Sequence, residues 1–131
     1  MKKIGILNQS ISTVIAGMGH TDTLVIADAG LPIPPETQRI DLALAEGIPR
    51  FLDTLHVVLT EMQVERAIVA EEMIEASPHI HEAIRGLLGD VPVETVPHQV
   101  FKQQTRSARA VVRTGEFTPY ANVILVAGVV F

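Results

Sequence analysis

Short apolar runs rich in β-branched residues alternate along this chain with longer segments whose apolar residues recur every three or four positions. The short runs Thr23–Ala27, Val64–Ala70 and Val91–Val96 read as buried strands. Ile11, Val14, Ile15 and Met18 form the stripe of a first amphipathic helix. Asn8 or Ser10 caps its start, and Gly19 ends it in a left-handed conformation. A second helix is predicted over Ile48–Met62, with Ile48, Phe51, Leu52, Leu55, Leu59 and Met62 on one face and Pro49 in its first turn. A third opens at Ser77-Pro78, turns Ile80, Ile84, Leu87 and Leu88 inward and closes at Gly89. Pro97–Gln104 reads as a short helix, and Arg39–Leu44, Ala108–Arg113 and Val123–Val130 as the remaining strands. Such alternation predicts βαβ units with helices on both faces of a sheet. The last two strands are joined only by Thr114–Asn122, too short for a parallel crossover, so they are antiparallel or non-adjacent. The expected fold is α/β: a three-layer α/β/α sandwich with a mixed, mostly parallel sheet, formed by one domain over residues 1–131.

Composition narrows the chemistry. There is no cysteine, which removes disulfides, thiolate ligands and thiol nucleophiles. Ten basic against fifteen acidic residues leave a net charge of −5 and, with five aromatic residues and no Trp, argue against a nucleic-acid partner. The start, Met1-Lys2-Lys3-Ile4-Gly5-Ile6-Leu7, is interrupted by Asn8, Gln9 and Ser10 before a signal-like apolar core of ~7–15 residues forms. Val123–Phe131 is far shorter than the ~20 residues of a spanning helix. The expectation is therefore a soluble, cytoplasmic protein without membrane association. With 47% hydrophobic and only 19% charged residues, and an apolar final run, it should also bury surface between subunits as a homo-oligomer.

Of the five histidines, His79 and His81 are spaced wrongly for a metal pair on one helix face, and His56 lies beside an apolar stripe. No HExxH, Asp-x-Asp, GxGxxG, GxxxxGK[ST] or GxSxG pattern occurs, so no metal or cofactor is expected. His20 follows Gly19 at a helix end, where it serves either as a cap that complements the helix dipole or as a proton carrier on a rigid corner. Asp28 ends a strand and precedes the stiff loop Gly30-Leu31-Pro32-Ile33-Pro34-Pro35. His98 follows another strand, with Lys102 one turn later. Tyr120, the chain's single tyrosine, sits in the loop before the last strand. Asp28, His98, Lys102 and Tyr120 fall at the carboxyl ends of strands, where α/β sheets bind ligands, and together suit a small polar ligand.

Three blocks carry a resemblance that spans essentially the whole chain: Gly19-His20-Thr21-Asp22, Ala27-Asp28-Ala29-Gly30-Leu31-Pro32-Ile33-Pro34, and Gly115-Glu116-Phe117-Thr118-Pro119-Tyr120-Ala121-Asn122. With Glu71-Glu72, His98 and Lys102, they resemble the ribose pyranase/fucose mutarotase family. Gly-Leu-Pro after the Asp-Ala pair and Phe-Thr-Pro before the tyrosine favour its ribose branch. The resemblance implies cofactor-free interconversion of the pyranose and furanose forms of D-ribose. It implies His20 as proton donor, and Asp28, His98, Lys102, Tyr120, Ala121 and Asn122 as sugar-binding residues. It further implies a homodecamer of two pentameric rings with sites at subunit contacts. The chemistry is consistent: opening a hemiacetal requires one proton taken from the anomeric hydroxyl and one given to the ring oxygen, and acid–base groups suffice. Competing readings are an L-fucose mutarotase and a non-catalytic sugar-binding ring.

Overall fold

The computed structural model describes residues 1–131. Six strands form one sheet: β1 (Thr23–Ala27), β2 (Arg39–Asp41), β3 (Val64–Ala70), β4 (Val93–Val96), β5 (Ala110–Arg113) and β6 (Val123–Ala127). Their order is β2-β5-β1-β6-β3-β4. The pairs β1/β5, β2/β5 and β3/β4 are parallel, whereas β6 runs antiparallel to both of its neighbours, β1 and β3. The short connection before β6 is thereby explained. β5 ends at the carboxyl edge of the sheet, and the loop needs only to pass the end of β1 to enter β6 from that same edge. The last two strands are non-adjacent and opposite in direction, and the mixed sheet is as expected.

Five helices complete the fold: α1 (Gln9–Gly17), α2 (Phe51–Leu59), α3 (Glu72–Ala76), α4 (Pro78–Leu88) and α5 (His98–Gln104). The side chain of Asn8 caps α1 by accepting the Ile11 N–H at 2.9 Å, which satisfies an orphan donor of the first turn. Residues alternating along the strands feed two cores. Leu24, Ile26, Val112, Val123 and Leu125 pack with residues of α1, α2, α3 and α4 on one face. Val25, Val111, Ile124 and Val126 pack with Phe101 of α5 and Leu31 of the proline loop on the other. The three layers are therefore unequal, the second face being covered by one helix and a loop.

Several local expectations are corrected. α2 begins at Phe51, because Ile48 is held in a tight turn instead: its N–H donates to Ala45 O and its carbonyl accepts the Leu44 N–H. Ile48 is consequently exposed, and Pro49 lies ahead of the helix. Leu87 is exposed, while Ile80, Ile84 and Leu88 are buried as predicted. The left-handed residue near the end of α1 is Thr21 (φ 69°) rather than Gly19. Helix α3, too short to show a periodic stripe, was not foreseen. β6 stops at Ala127, after which the Gly128 N–H turns to Gln63 O.

Candidate functional site

The β1/β6 register pairs Ile26 with Val123, which brings Asn122 alongside the end of β1. There the Asp28 N–H donates to Asn122 Oδ1 (2.8 Å), and Asn122 Nδ2 donates back to Asp28 Oδ2 (3.0 Å). Asp28 Oδ1 also accepts the Gly30 N–H at 2.9 Å. Asn122 is 1% exposed, so its amide is oriented by Asp28 with no competition from solvent. Burial raises the Asp28 carboxyl above its ordinary value, against the opposing pull of the Gly30 N–H, the Asn122 amide, the Leu31 N–H and the nearby His98. A half-buried carboxylate of raised proton affinity, fixed by three donors, is suited to exchange a proton with a bound hydroxyl.

The loop between β5 and β6 builds one wall. Thr114 donates to Ala27 O through both its N–H (3.0 Å) and its hydroxyl (2.7 Å), and the Ala29 N–H donates to Glu116 O (2.8 Å). A Cβ at Gly115 would collide with the backbone of Ala45 and Ile48, so only glycine lets the chain pass. Glu116 is buried, and its carboxylate accepts the Thr118 hydroxyl (2.9 Å) and the N–H groups of Phe51 and Thr118 (3.3 Å each). Burial would raise its pKa, but these hydrogen bonds prevail and lower it. Tyr120 then adopts a left-handed backbone (φ 59°), held by Ser77 Oγ donating to Pro119 O (2.8 Å) and by the Asn122 N–H donating to Tyr120 O (2.8 Å). Beside this loop lies an open cleft of about 410 Å³ lined by Asp28, Gly30, Arg113, Phe117 and Thr118.

α5 adds His98 to this group from outside that cleft. Its first residue, His98, places its ring edge-on to Tyr120 with centroids 5.0 Å apart, and stacks on Phe101. The His98 N–H donates to both oxygens of Glu72 (2.9 and 3.1 Å), and that hydrogen bond is the main cause of the lowered Glu72 pKa. His98 Nδ1 is buried without a partner in the chain, an open polar position. Lys102 stands one turn further along α5, half-buried.

His20 is elsewhere. It precedes β1, whereas Asp28 follows it, so the two flank opposite ends of the strand. Six residue steps separate Asp22 from Asp28, roughly 20 Å at about 3.3 Å per residue. The imidazole is exposed, and its Nε2 lies 2.8 Å from Glu65 Oε2. The turn is fixed by the Gly19 N–H donating to Asp22 Oδ2 (2.8 Å) and by an Asp22–Arg109 ion pair at 3.0 Å. Thr21 beside His20 and Tyr120 are the chain's two non-glycine residues of positive φ. Backbone strain of this kind concentrates where a site over-determines its residues.

Known proteins resemble this chain over its whole length. Residues 1–130 match the sequence profile of the RbsD / FucU transport protein family. The chain belongs to this family. A D-ribose pyranase of Chloroflexus aggregans is 60% identical to it over 131 residues, covering all of both chains. The structure of Bacillus subtilis RbsD complexed with D-ribose superposes with a TM-score of 0.97 at 48% identity, again over all of both chains. The fucose mutarotase of Streptococcus pneumoniae, solved with L-fucose, shares the fold at a TM-score of 0.78, 23% identity and 95% coverage of each chain.

Of the residues predicted for this RbsD / FucU family member, Asp28, His98, Tyr120 and Asn122 meet at the carboxyl edge of the sheet. Ala121 is fully buried in the core, backbone included, and its N–H donates to Thr118 O (3.3 Å). The Lys102 carbonyl accepts the Thr105 hydroxyl (2.7 Å), while its ammonium forms no hydrogen bond or ion pair and is the loosest of the group. His20 does not join them within one chain. Glu116, Ser77 and Arg113 support the site and were missed by sequence reasoning. Arg113 Nε donates to Ala29 O (3.0 Å) while its guanidinium pairs with Asp41. None of them carries a spacing signal, because, Thr118 beside Glu116 apart, their partners come from distant parts of the chain.

Proposed function

We propose that this protein is a D-ribose pyranase: a single domain that interconverts the pyranose and furanose forms of D-ribose by opening and reclosing the hemiacetal. The observation that carries this reading is the full-length likeness to RbsD solved with D-ribose, together with the pairing of Asp28 and Asn122 beside His98 and Tyr120. In the ring-opening step a base takes the proton of the anomeric hydroxyl, C1=O forms, the bond from C1 to the ring oxygen breaks, and an acid protonates that oxygen. Rotation and closure through the 4-hydroxyl reverse these transfers, so nothing is oxidised and no water is consumed. Asp28 and His98 stand where the sugar hydroxyls are taken up, and a hydroxyl donating to His98 Nδ1 satisfies its open position. Tyr120, Ala121, Asn122 and Lys102 complete the proposed sugar contacts.

His20 is the proton donor in this reading. Because β1 holds it away from Asp28, the donor that serves one cleft is the His20 of a neighbouring copy. A site assembled from two chains favours a closed homo-oligomer, and a decamer of two pentameric rings in the cytoplasm is the form proposed. No helix is long and apolar enough to cross a membrane.

Saturation-transfer NMR on equilibrated D-ribose with catalytic amounts of protein tests the function. Accelerated pyranose–furanose exchange that survives chelation is expected. Line shifts without accelerated exchange would leave a sugar-binding ring, and acceleration confined to L-fucose anomers would assign the other branch. Light scattering that returned a 14.2 kDa species would defeat the shared site.

A further inference from the structure

We propose that Glu65 is a positioning residue for His20, accepting the Nε2–H proton and so reserving Nδ1 for transfer to the sugar ring oxygen. The proposal rests on the reading of His20 as proton donor, and three observations carry it. First, Glu65 Oε2 lies 2.8 Å from His20 Nε2. Secondly, Glu65 sits at a β-bulge. β3 pairs Val64 with Ala127 and Arg66 with Val126, so two steps on β3 match one on β6 and Glu65 is the extra residue. Bulges re-aim a side chain and recur beside active sites. Thirdly, the partner at the bulge also anchors the histidine's turn: Ala127 O accepts the Thr21 N–H (2.9 Å), and the Ala127 N–H donates to Asp22 O (2.8 Å). One residue of β6 thus fixes both halves of the pair. Gly128 follows, and a Cβ there would press to 3.1 Å on Glu65 Cβ.

Both side chains are part-exposed, 53% for His20 and 38% for Glu65, and an ordinary surface pair of that kind contributes little to stability. Its use here lies in orientation. The other charges at this turn, Asp22 and Arg109, neutralise each other at 3.0 Å and leave Glu65 as the carboxylate that addresses the imidazole. With Nε2–H engaged, the protonated ring loses its Nδ1 proton to the sugar oxygen and ends in a single tautomer. The proton regained at Nδ1 comes from the hydroxyl that closes the next ring.

Glu65→Gln tests this, since a carboxamide presents both a donor and an acceptor and no longer dictates the tautomer. The expected result is a fall in kcat of about tenfold or more with KM unchanged, partly restored in Glu65→Asp, because a wrong tautomer disables a catalytic histidine. A second loss should not appear when Glu65→Gln is added to His20→Ala. Wild-type kcat in Glu65→Gln while His20→Ala is impaired overturns the role of Glu65 alone. Full activity in His20→Ala overturns the reading of His20 itself. If the variants fold poorly, 15N-histidine NMR of the intact protein decides: the neutral His20 ring should carry its proton on Nε2, and a proton on Nδ1 sinks the proposal.

Discussion

At the carboxyl edge of the sheet, Asp28, Asn122, Tyr120 and His98 are held by hydrogen bonds between Asp28 and Asn122, from His98 to Glu72 of α3, and from Ser77, just ahead of α4, to the loop before β6; at the amino edge, His20 stands half in solvent on a strained turn with Glu65 as its side-chain partner. The first region resembles a binding cradle, set before the sugar arrives, and immobilised groups of this kind discriminate by geometry. The second resembles a projecting tool. Its exposure makes little sense for a lone chain, but suits a group whose work is done against another copy. On the proposed function, a strand of five residues separates the sugar-binding and proton-donating parts of the site by its whole length, and assembly would have to reunite them.

The sharpest way to break the comparison is to damage each end separately. His20→Ala should slow pyranose–furanose exchange by about 10²–10⁴, the usual worth of one general acid, with little change in ribose affinity or thermal midpoint. Co-assembly of His20→Ala chains with Asp28→Asn chains should regain part of the activity, since some sites then pair an intact His20 with an intact Asp28. Mixed assemblies as inactive as their parents would place the whole site within one chain. Next in size is Asn122→Ala. Its buried amide exchanges two hydrogen bonds with Asp28, so its loss should cost about 1–3 kcal/mol of stability, measured by denaturant unfolding, and should weaken ribose binding as well. A neutral Asn122→Ala would show that the cradle does not depend on this pair.

The two ends also differed in how far they could be read from sequence. Alternation of apolar runs gave the layers, and the short span 114–122 foretold that β5 and β6 would not be parallel neighbours. Asp28 and His98 were visible as polar residues just past strands, with Lys102 one turn on and Tyr120 in the loop before the last strand, a signal that depends only on local order. Asn122 and Ala121 came through the family resemblance, because nothing in their own neighbourhood distinguishes them. The separation of His20 from the others follows from strand direction, which local patterns do not encode. Glu65 and Glu116 were hidden for a related reason: a bulge and a buried carboxylate acquire meaning only from residues 45 and 65 positions away.

Acidification offers a finer test at the cradle. Burial holds the Asp28 carboxyl above its ordinary value of about 3.9, so it takes up a proton at higher pH than an unperturbed aspartate would. Its ionised form therefore costs stability at neutral pH, and that cost disappears as pH falls through the raised folded pKa. Asp22, Glu61, Glu72 and Glu116 are lowered instead; the stability they contribute is present above about pH 4 and is lost below it. Exchange should consequently decline on acidification while the thermal midpoint still holds, and Asp28→Asn, already slow, should lack that decline. Rate and midpoint falling together would assign the loss to unfolding.

The smallest effect is expected at Thr21, and it separates strain from function. A β-branched residue at φ 69° is costly, by about 1–2 kcal/mol for a non-glycine in this region, while glycine enters it freely but loses more entropy on folding. Thr21 is exposed, so Thr21→Gly removes the strain without opening a cavity. Its N–H still donates to Ala127 O, and Asp22 still pairs with Arg109. The thermal midpoint should therefore rise slightly or stay level, by no more than about 1 kcal/mol of stability. Activity should nonetheless fall a few-fold, because a turn with freer backbone angles holds the imidazole less firmly on Glu65. The same change would leave the cradle untouched, so ribose affinity should match the wild type. If Thr21→Gly gained stability and kept its full rate, the left-handed turn would be an incidental cost of folding, and His20 would need no rigid mount to deliver its proton.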